Sequence, residues 1–390
     1  MKKDSSTTKL AKIFIACCLC FGGSIGLISN CFGIFYSPII NELRFSVKDL
    51  SFMATIGSIS SALFSTSLVK LMKKYKLGSI MAFGLTICIL MYIMMTFSNK
   101  LWQFYIAKIL IGIGSCCCSI IPISCIICDN FENNAGTILG ITTAVSGIVG
   151  VIFNPICSKI IVDYNWKIAM LFIATLLLIF SLPASISLRT YNSIPVDKEK
   201  ATSKFSIDIT FILIAIVASL LSMSCCFISH ISYYGVTNGY SLESSATMVS
   251  FVMAGNMLFK IIMGWMIDHL GTFKAVTIGI FMAFCGIFSL CFTNNFIMIC
   301  LSCLFYGAIS SCVILGNTNL CQSVYKNEYT DRYSKISVVT SVTSAFSTTG
   351  VGIVYDTYSS YTPIIIIVSV FLIIALIGVF ILKRVCTSSE

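Results

Sequence analysis

Charge is what this chain has least of. Lys, Arg, Asp and Glu together make up 10% of its 390 residues, where a soluble domain carries about 25%. That scarcity excludes a water-facing surface, and with it an ordinary soluble protein of this length. Acids are rarer than bases, 15 against 25, and there are only two histidines. No paired carboxylates and no His/Cys/Asp/Glu cluster sit within reach of one shared site, so the sequence gives no basis for an enzyme, a metal centre or a cofactor. The loops are too short for a soluble interaction domain, which argues against a receptor or scaffold. The +10 net charge comes without an aromatic-interleaved basic patch, so nucleic acid is not an expected partner.

What is present is apolar. Hydrophobic residues make up 57% of the chain and the mean hydropathy is +0.97, so its outside must face a lipid bilayer. The twenty cysteines lie inside apolar runs, as in Cys17–Cys20 and Cys116–Cys118, where a thiol packs as a small hydrophobe. Cys125 and Cys128 form a CxxC, but without a second pair or a nearby histidine. The first apolar stretch is too long for the core of a cleaved signal and reads as a span.

A helical span needs about 20 apolar residues. Runs of that length fall at 13–36, 50–72, 79–98, 101–128, 136–162, 167–188, 207–232, 242–267, 273–293, 296–323, 336–358 and 361–382. The expected fold is therefore an all-α integral membrane protein of twelve transmembrane helices. Period-two alternation, the mark of a barrel, is missing.

Twelve spans put both termini on one side. The segments on that side hold 18 Lys and Arg residues: Lys2, Lys3, Lys9, Lys12, Lys70, Lys73, Lys74, Lys76, Arg189, Lys198, Lys200, Lys204, Lys274, Lys326, Arg332, Lys335, Lys383 and Arg384. The other side holds five, namely Arg44, Lys48, Lys100, Lys159 and Lys167. The positive-inside rule then puts both ends in the cytoplasm of a cell-membrane protein. Lys108 and Lys260 remain, inside spans.

The longest polar interval, 189–206, divides the chain into halves at 1–188 and 207–390. The halves repeat. Gly78 precedes Asp163 by 85 residues and Gly271 precedes Asp356 by 85, with an offset of 193 between the pairs. Six helices per half preserve orientation, so the repeat is parallel, about an axis along the membrane normal.

Gly264, Asp268, Gly271 and Lys274 form G-x-x-x-D-x-x-G-x-x-K between spans eight and nine. This resembles the signature loop of the major facilitator superfamily. Gly264 is expected to admit a close helix, Asp268 to pair with a cation or a helix N-terminus, and Gly271 to make a tight turn. The first-half copy keeps Gly78 but has Leu71 and Tyr75 for the glycine and acid. Lys108, Gly112 and Gly114 in span four resemble the superfamily's R-x-x-x-G-x-G, with lysine for arginine. Span five, with Gly140, Gly147, Gly150 and Pro155, resembles its glycine-rich fifth helix.

The stretches "NCFGIFYSPIINEL", "NGYSLESSATMVSFVMAGNMLFKIIMGWMIDHLG" and "GIVYDTYSSY" resemble the oxalate/formate antiporters and the monocarboxylate transporters. Those families set a basic residue four positions before the second signature glycine, where Lys260 stands before Gly264. The resemblance implies a secondary carrier in which Lys260 holds the substrate carboxylate, exchanging it for another anion or moving it with a proton.

The residues support that reading in their own terms. A charge mid-span costs at least about 2.5–3.5 kcal/mol. Lys260 lies about seven residues from the expected end of its span, on the order of 10 Å, and an anion there would restore the balance. Asn256, one turn away, makes the same face polar; the proton-coupled relatives have an acid there, which Asn256 cannot imitate. The interior of span eleven has no second base, which favours monocarboxylates, although Lys108 from the other half would admit a dicarboxylate. Asn30, Asn317, Asn319 and Gln322 add amides to spans one and ten. His230 reads as an interfacial histidine with a possible proton-linked role, and Trp102, Trp166 and Trp265 as interface anchors. The partners expected are a small organic anion, the bilayer and a proton or counter-anion, for a monomeric chain. The competing reading, an exporter of drugs or other small molecules, usually needs membrane-embedded acids, and here the embedded charges are bases.

Overall fold

The computed structural model describes residues 2–72, 74–131, 135–190, 208–293, 295–325 and 329–387. Most of the interval expected as a linker, from 191 to 206, lies outside them. Among the described residues every regular element is helical. Eleven helical stretches are long and apolar enough to cross a bilayer: α1 (Thr8–Leu43), α3 (Leu77–Thr96), α4 (Leu101–Asn130), α5 (Ile138–Asp163), α6 (Trp166–Ser187), α7 (Ile209–Thr237), α8 (Leu242–Leu270), α9 (Thr272–Ser289), α10 (Phe296–Val324), α11 (Arg332–Tyr358) and α12 (Thr362–Cys386). The twelfth helix, α2 (Val47–Met72), has 26 residues. At 1.5 Å per residue it is about 39 Å long, enough to span, and positions 50–69 within it carry no charged residue. The fold is the twelve-helix membrane architecture.

The chain packs as two compact units, one of residues 1–45 and 56–197 and the other of 46–55 and 198–390. In the first unit α4 is gripped from two sides. Gly112 lies against the backbone of Gly57 in α2, and Gly114 against that of Gly84 in α3; a Cβ at either would run into a carbonyl. The second unit repeats the plan on α10. Gly255 of α8 lies against the backbone of Leu304, Gly307 against Val252 and Asn256, and Gly286 of α9 against Ser302 and Tyr306. Without a hydrophobic drive between helices in lipid, such close backbone approach is what van der Waals packing needs.

α1, α4, α7 and α10 are each interrupted. α1 passes through π turns at Gly22–Asn30 and a 3₁₀ turn at Phe32–Phe35. α4 breaks at Cys117–Ser119 and restarts at Ile120, with Pro122 in the new first turn, where its missing N–H goes unmissed. α7 tightens to 3₁₀ over Cys226–His230, and α10 bends at Gly307 and widens to π turns over Cys312–Gly316. α6 also has a π segment, Leu177–Ser181. By contrast α2, α5, α8 and α11 are continuous. Irregular backbone at membrane depth is tolerated where protein or a cavity covers it.

Candidate functional site

Lys260 stands ten residues before Leu270, the last residue of α8, or about 15 Å. It is deeper than the sequence reading put it, because the helix continues three residues past the apolar run. It is only partly exposed. Among the described residues the ion pairs are Glu42–Lys167 and Asp208–Arg332, and Lys260 joins neither. One turn back, Asn256 is 7% exposed, and its amide oxygen is buried without a hydrogen-bond donor. Its backbone is held against Gly307 of α10, so its position is set by the glycine crossing.

Four residues of the second unit that the sequence reading passed over pair across its helices. Cys225 of α7 is close enough to Lys260 to interact with it electrostatically. Its Sγ is 3.9 Å from the Oγ of Ser310 on α10. Cys226 turns toward α11, with its Sγ 3.1 Å from the carbonyl and 3.4 Å from the Oγ of Ser344. The signal that could have found them is the adjacent small polar residues, Cys225 with Cys226 and Ser310 with Ser311, inside apolar runs. Asn317, which follows the π segment of α10, is 3% exposed and also has an unpaired amide oxygen. Asn319 bonds back to Leu315 of its own helix, and Gln322 is exposed.

In the first unit Lys108 is 7% exposed and already engaged. Its Nζ lies 3.0 Å from the centre of the Phe32 ring. This is a cation–π contact within its own unit. Asn30 donates from Nδ2 to the Ser146 carbonyl, 3.0 Å away.

Several expectations about the flanking residues are corrected. His230 is not interfacial but fully buried, its Nε2 3.4 Å from Ser51 Oγ and its Nδ1 3.1 Å from Tyr361 Oη. Trp166 is 2% exposed, not an interface anchor; its indole N–H donates to Glu42, and only Trp102 and Trp265 are open to the surroundings. Gly264 and Gly140 face no close neighbour, so a Cβ would meet nothing within 4 Å at either. Asp268 is exposed and makes neither an ion pair nor a hydrogen bond among the described residues. Gly271 does make the tight turn, at φ +83°. Gly78 serves differently: it admits the backbone of Leu188 and Arg189. Asp356 caps α2, accepting the backbone N–H groups of Val47 at 3.3 Å and Lys48 at 2.9 Å.

One charged cluster had only a faint sequence signal, an acid just before an apolar run. Asp208 precedes α7 and receives hydrogen bonds from Thr210, from Tyr325 and from Arg332, and the Arg332 guanidinium lies 4.1 Å over the Tyr325 ring. Burial opposes the Asp208 charge, but the three donors outweigh it and hold its carboxyl below the usual range. Burial, then the bond to Asp208, pushes the Tyr325 hydroxyl up.

Comparison with known proteins bears on the family and the fold. The family model described as Major Facilitator Superfamily matches residues 13–347. No curated protein matches the chain. Among solved structures, the nucleoside transporter NupG superimposes with a TM-score of 0.71 at 13% identity, over 96% of this chain and 98% of that one. A bacterial homologue of the human lysosomal transporter Spinster, in an inward-facing and occupied conformation, superimposes with a TM-score of 0.72 at 12% identity, over 97% of each chain. At such identity the likeness is one of fold.

Proposed function

Because the chain belongs to the major facilitator superfamily, and is thus a transporter rather than an enzyme, we propose that its cargo is a small organic anion of the monocarboxylate type, carried by alternating access with Lys260 as its counter-ion. The observation that carries this reading is the state of Lys260. It is a cation inside a span, with no carboxylate at ion-pair distance among the described residues. A buried charge left unpaired is strongly unfavourable, and an incoming carboxylate would pair it. Asn256 supplies an amide beside it.

Monocarboxylates are favoured over oxalate because Lys108, the other cation inside a span, already has the Phe32 ring. Exchange is favoured over net uptake for the same electrostatic reason. Reorienting the empty site would carry a bare ammonium through a low-dielectric interior, whereas the loaded site moves as a neutral pair. The 18-to-5 distribution of Lys and Arg supports cytoplasmic termini.

Proteoliposomes containing the purified chain test the proposal, with uptake of labelled formate, lactate, pyruvate and oxalate, and a nucleoside as control. The expected result is monocarboxylate uptake, accelerated by the same anion inside, and its loss in Lys260→Gln with folding retained. Wild-type uptake by that variant, or transport of the nucleoside alone, overturns the assignment.

A further inference from the structure

Within the second unit, a groove of about 400 Å³ lies between α11 and α12, with Met223 of α7 also in its lining. On α11 it is bounded by Val342, Phe346, Gly350 and Val354, a row at a spacing of four along one side of the helix. On α12 it is bounded by residues that include Ile367 and Phe371. Gly350 makes room for it, since a Cβ there would meet nothing within 4 Å. Val342, Phe346 and Ile367 are exposed, so the groove is open along its length. Its lining carries no charge, and the Thr343 hydroxyl within it donates back to the Val339 carbonyl, 3.0 Å away.

The dimensions select the occupant. From Val342 to Val354 is about 18 Å at 1.5 Å per residue, against about 15 Å for half of a bilayer's hydrocarbon core. The same row continues to Tyr358, exposed at the end of α11, where a tyrosine sits at headgroup level. The groove therefore begins one turn below the headgroups and runs the depth of one leaflet. Its volume over that length leaves a cross-section on the order of 20 Å². A single extended hydrocarbon chain, with carbon contacts at about 4 Å, has that section. A helix about 10 Å across would need roughly 80 Å². Water needs several polar partners to stay in such a place, and an empty groove would leave its lining atoms without dispersion contacts.

We propose that this groove binds one acyl chain of a membrane phospholipid, in the leaflet on the side of the turn that joins α11 to α12. A chain seated there touches protein on three sides rather than one. It gains more dispersion contacts than a chain on an open helix face, and so is enriched there over ordinary lipid contact. The site uses neither Lys260 nor Asn256, so it stands apart from the assignment of the cargo.

The test is photo-cross-linking of the full chain in proteoliposomes doped with a phosphatidylcholine whose palmitoyl chain carries a diazirine at mid-length. Light releases a carbene that inserts into neighbouring C–H bonds, and peptide mass spectrometry maps the adducts. Phe281 and Phe288, exposed on α9, report ordinary lipid contact. We expect several-fold more adducts on the α11 and α12 peptides that line the groove than on α9. Gly350→Leu fills the groove from α11, and Ile367→Trp blocks it from α12. Each should bring the groove adducts down to the α9 level and leave the α9 adducts unchanged, with folding checked by thermal unfolding; two variants are used so that one misfolding leaves the other to decide.

Equal adduct density on the groove and α9 peptides of the wild-type chain overturns the proposal. Enrichment that survives in a folded filling variant overturns it too. So does a dimeric chain whose groove peptides are free of adducts, because a second copy then covers the groove.

Discussion

The ammonium of Lys108 lies 3.0 Å from the centre of the Phe32 ring, in the same compact unit and with both residues buried. A desolvated cation–π contact of this kind contributes about 2 kcal/mol. Phe32→Leu keeps most of the volume and removes the ring, so it should lower stability by about 2 kcal/mol. Lys108→Met removes the need for the ring, since replacing a buried charge by an apolar chain is often neutral or stabilising. Thermal unfolding in detergent should therefore show Phe32→Leu well below wild type and Lys108→Met close to it. Monocarboxylate uptake should survive in Lys108→Met. Its disappearance would return Lys108 to the substrate.

The Asp208–Arg332 pair gives a pH dependence whose sign is fixed. The Asp208 carboxyl is held below its ordinary range, so the folded chain binds its proton less readily than the unfolded one. Its contribution is fully present above the unfolded value of about 3.9 and is lost as pH falls through the lower, folded value. Melting temperature recorded from pH 7 down to pH 3 should hold level and then fall. In Asp208→Asn that acid-side fall should be shallower, from a lower plateau. Because the Asp208 side chain is 37% exposed, solvent screening keeps the effect small.

Asp356 occupies the position of a helix cap although it lies more than three hundred residues from the helix it caps. Its two oxygens take the first N–H groups of α2, which have no partner within the helix. Asp356→Ala should cost about 1 kcal/mol, and Asp356→Asn less. Amide hydrogen exchange at Val47 and Lys48 should quicken in Asp356→Ala and stay slow at the far end of α2. Uniform quickening along the helix would mean that the carboxylate acts on the fold as a whole.

The parts of this molecule legible in the sequence are those that hydropathy and local backbone chemistry control. Twelve apolar runs gave the helices, because a bilayer leaves the backbone few other solutions. Gly271 was legible because a positive φ is needed within its own few residues. Lys260 and Asn256 were legible because a mid-span polar pair one turn apart is conspicuous against apolar neighbours. The interruptions of α1, α4, α7 and α10 were not, since helices apolar on nearly every face carry no periodic pattern for a π or 3₁₀ turn to disturb. Nor was the burial of Trp166, whose ring packs against Phe104 and whose N–H reaches Glu42, a residue 124 positions away. The joining of residues 46–55 to the second unit likewise depends on partners such as Asp356 and His230.

Gly255 and Gly264 look alike in sequence, two glycines in one helix, and the structure separates them. At Gly255 a Cβ would strike the backbone of Leu304, which cannot swing aside as a side chain can; at Gly264 it would meet nothing within 4 Å. Gly255→Ala must therefore force α8 from α10, shifting Asn256 and Lys260 with it, and should destabilise by about 1–3 kcal/mol while abolishing uptake. Gly264→Ala should stabilise by about 0.5–1 kcal/mol, because alanine loses less backbone freedom in a helix than glycine. Transport separates two roles for Gly264. If its open side is only surface, uptake in Gly264→Ala will match wild type. If a helix must close on that side during the cycle, the same variant will melt higher yet carry substrate more slowly, and the signature motif will have shown its purpose in motion rather than in this packing.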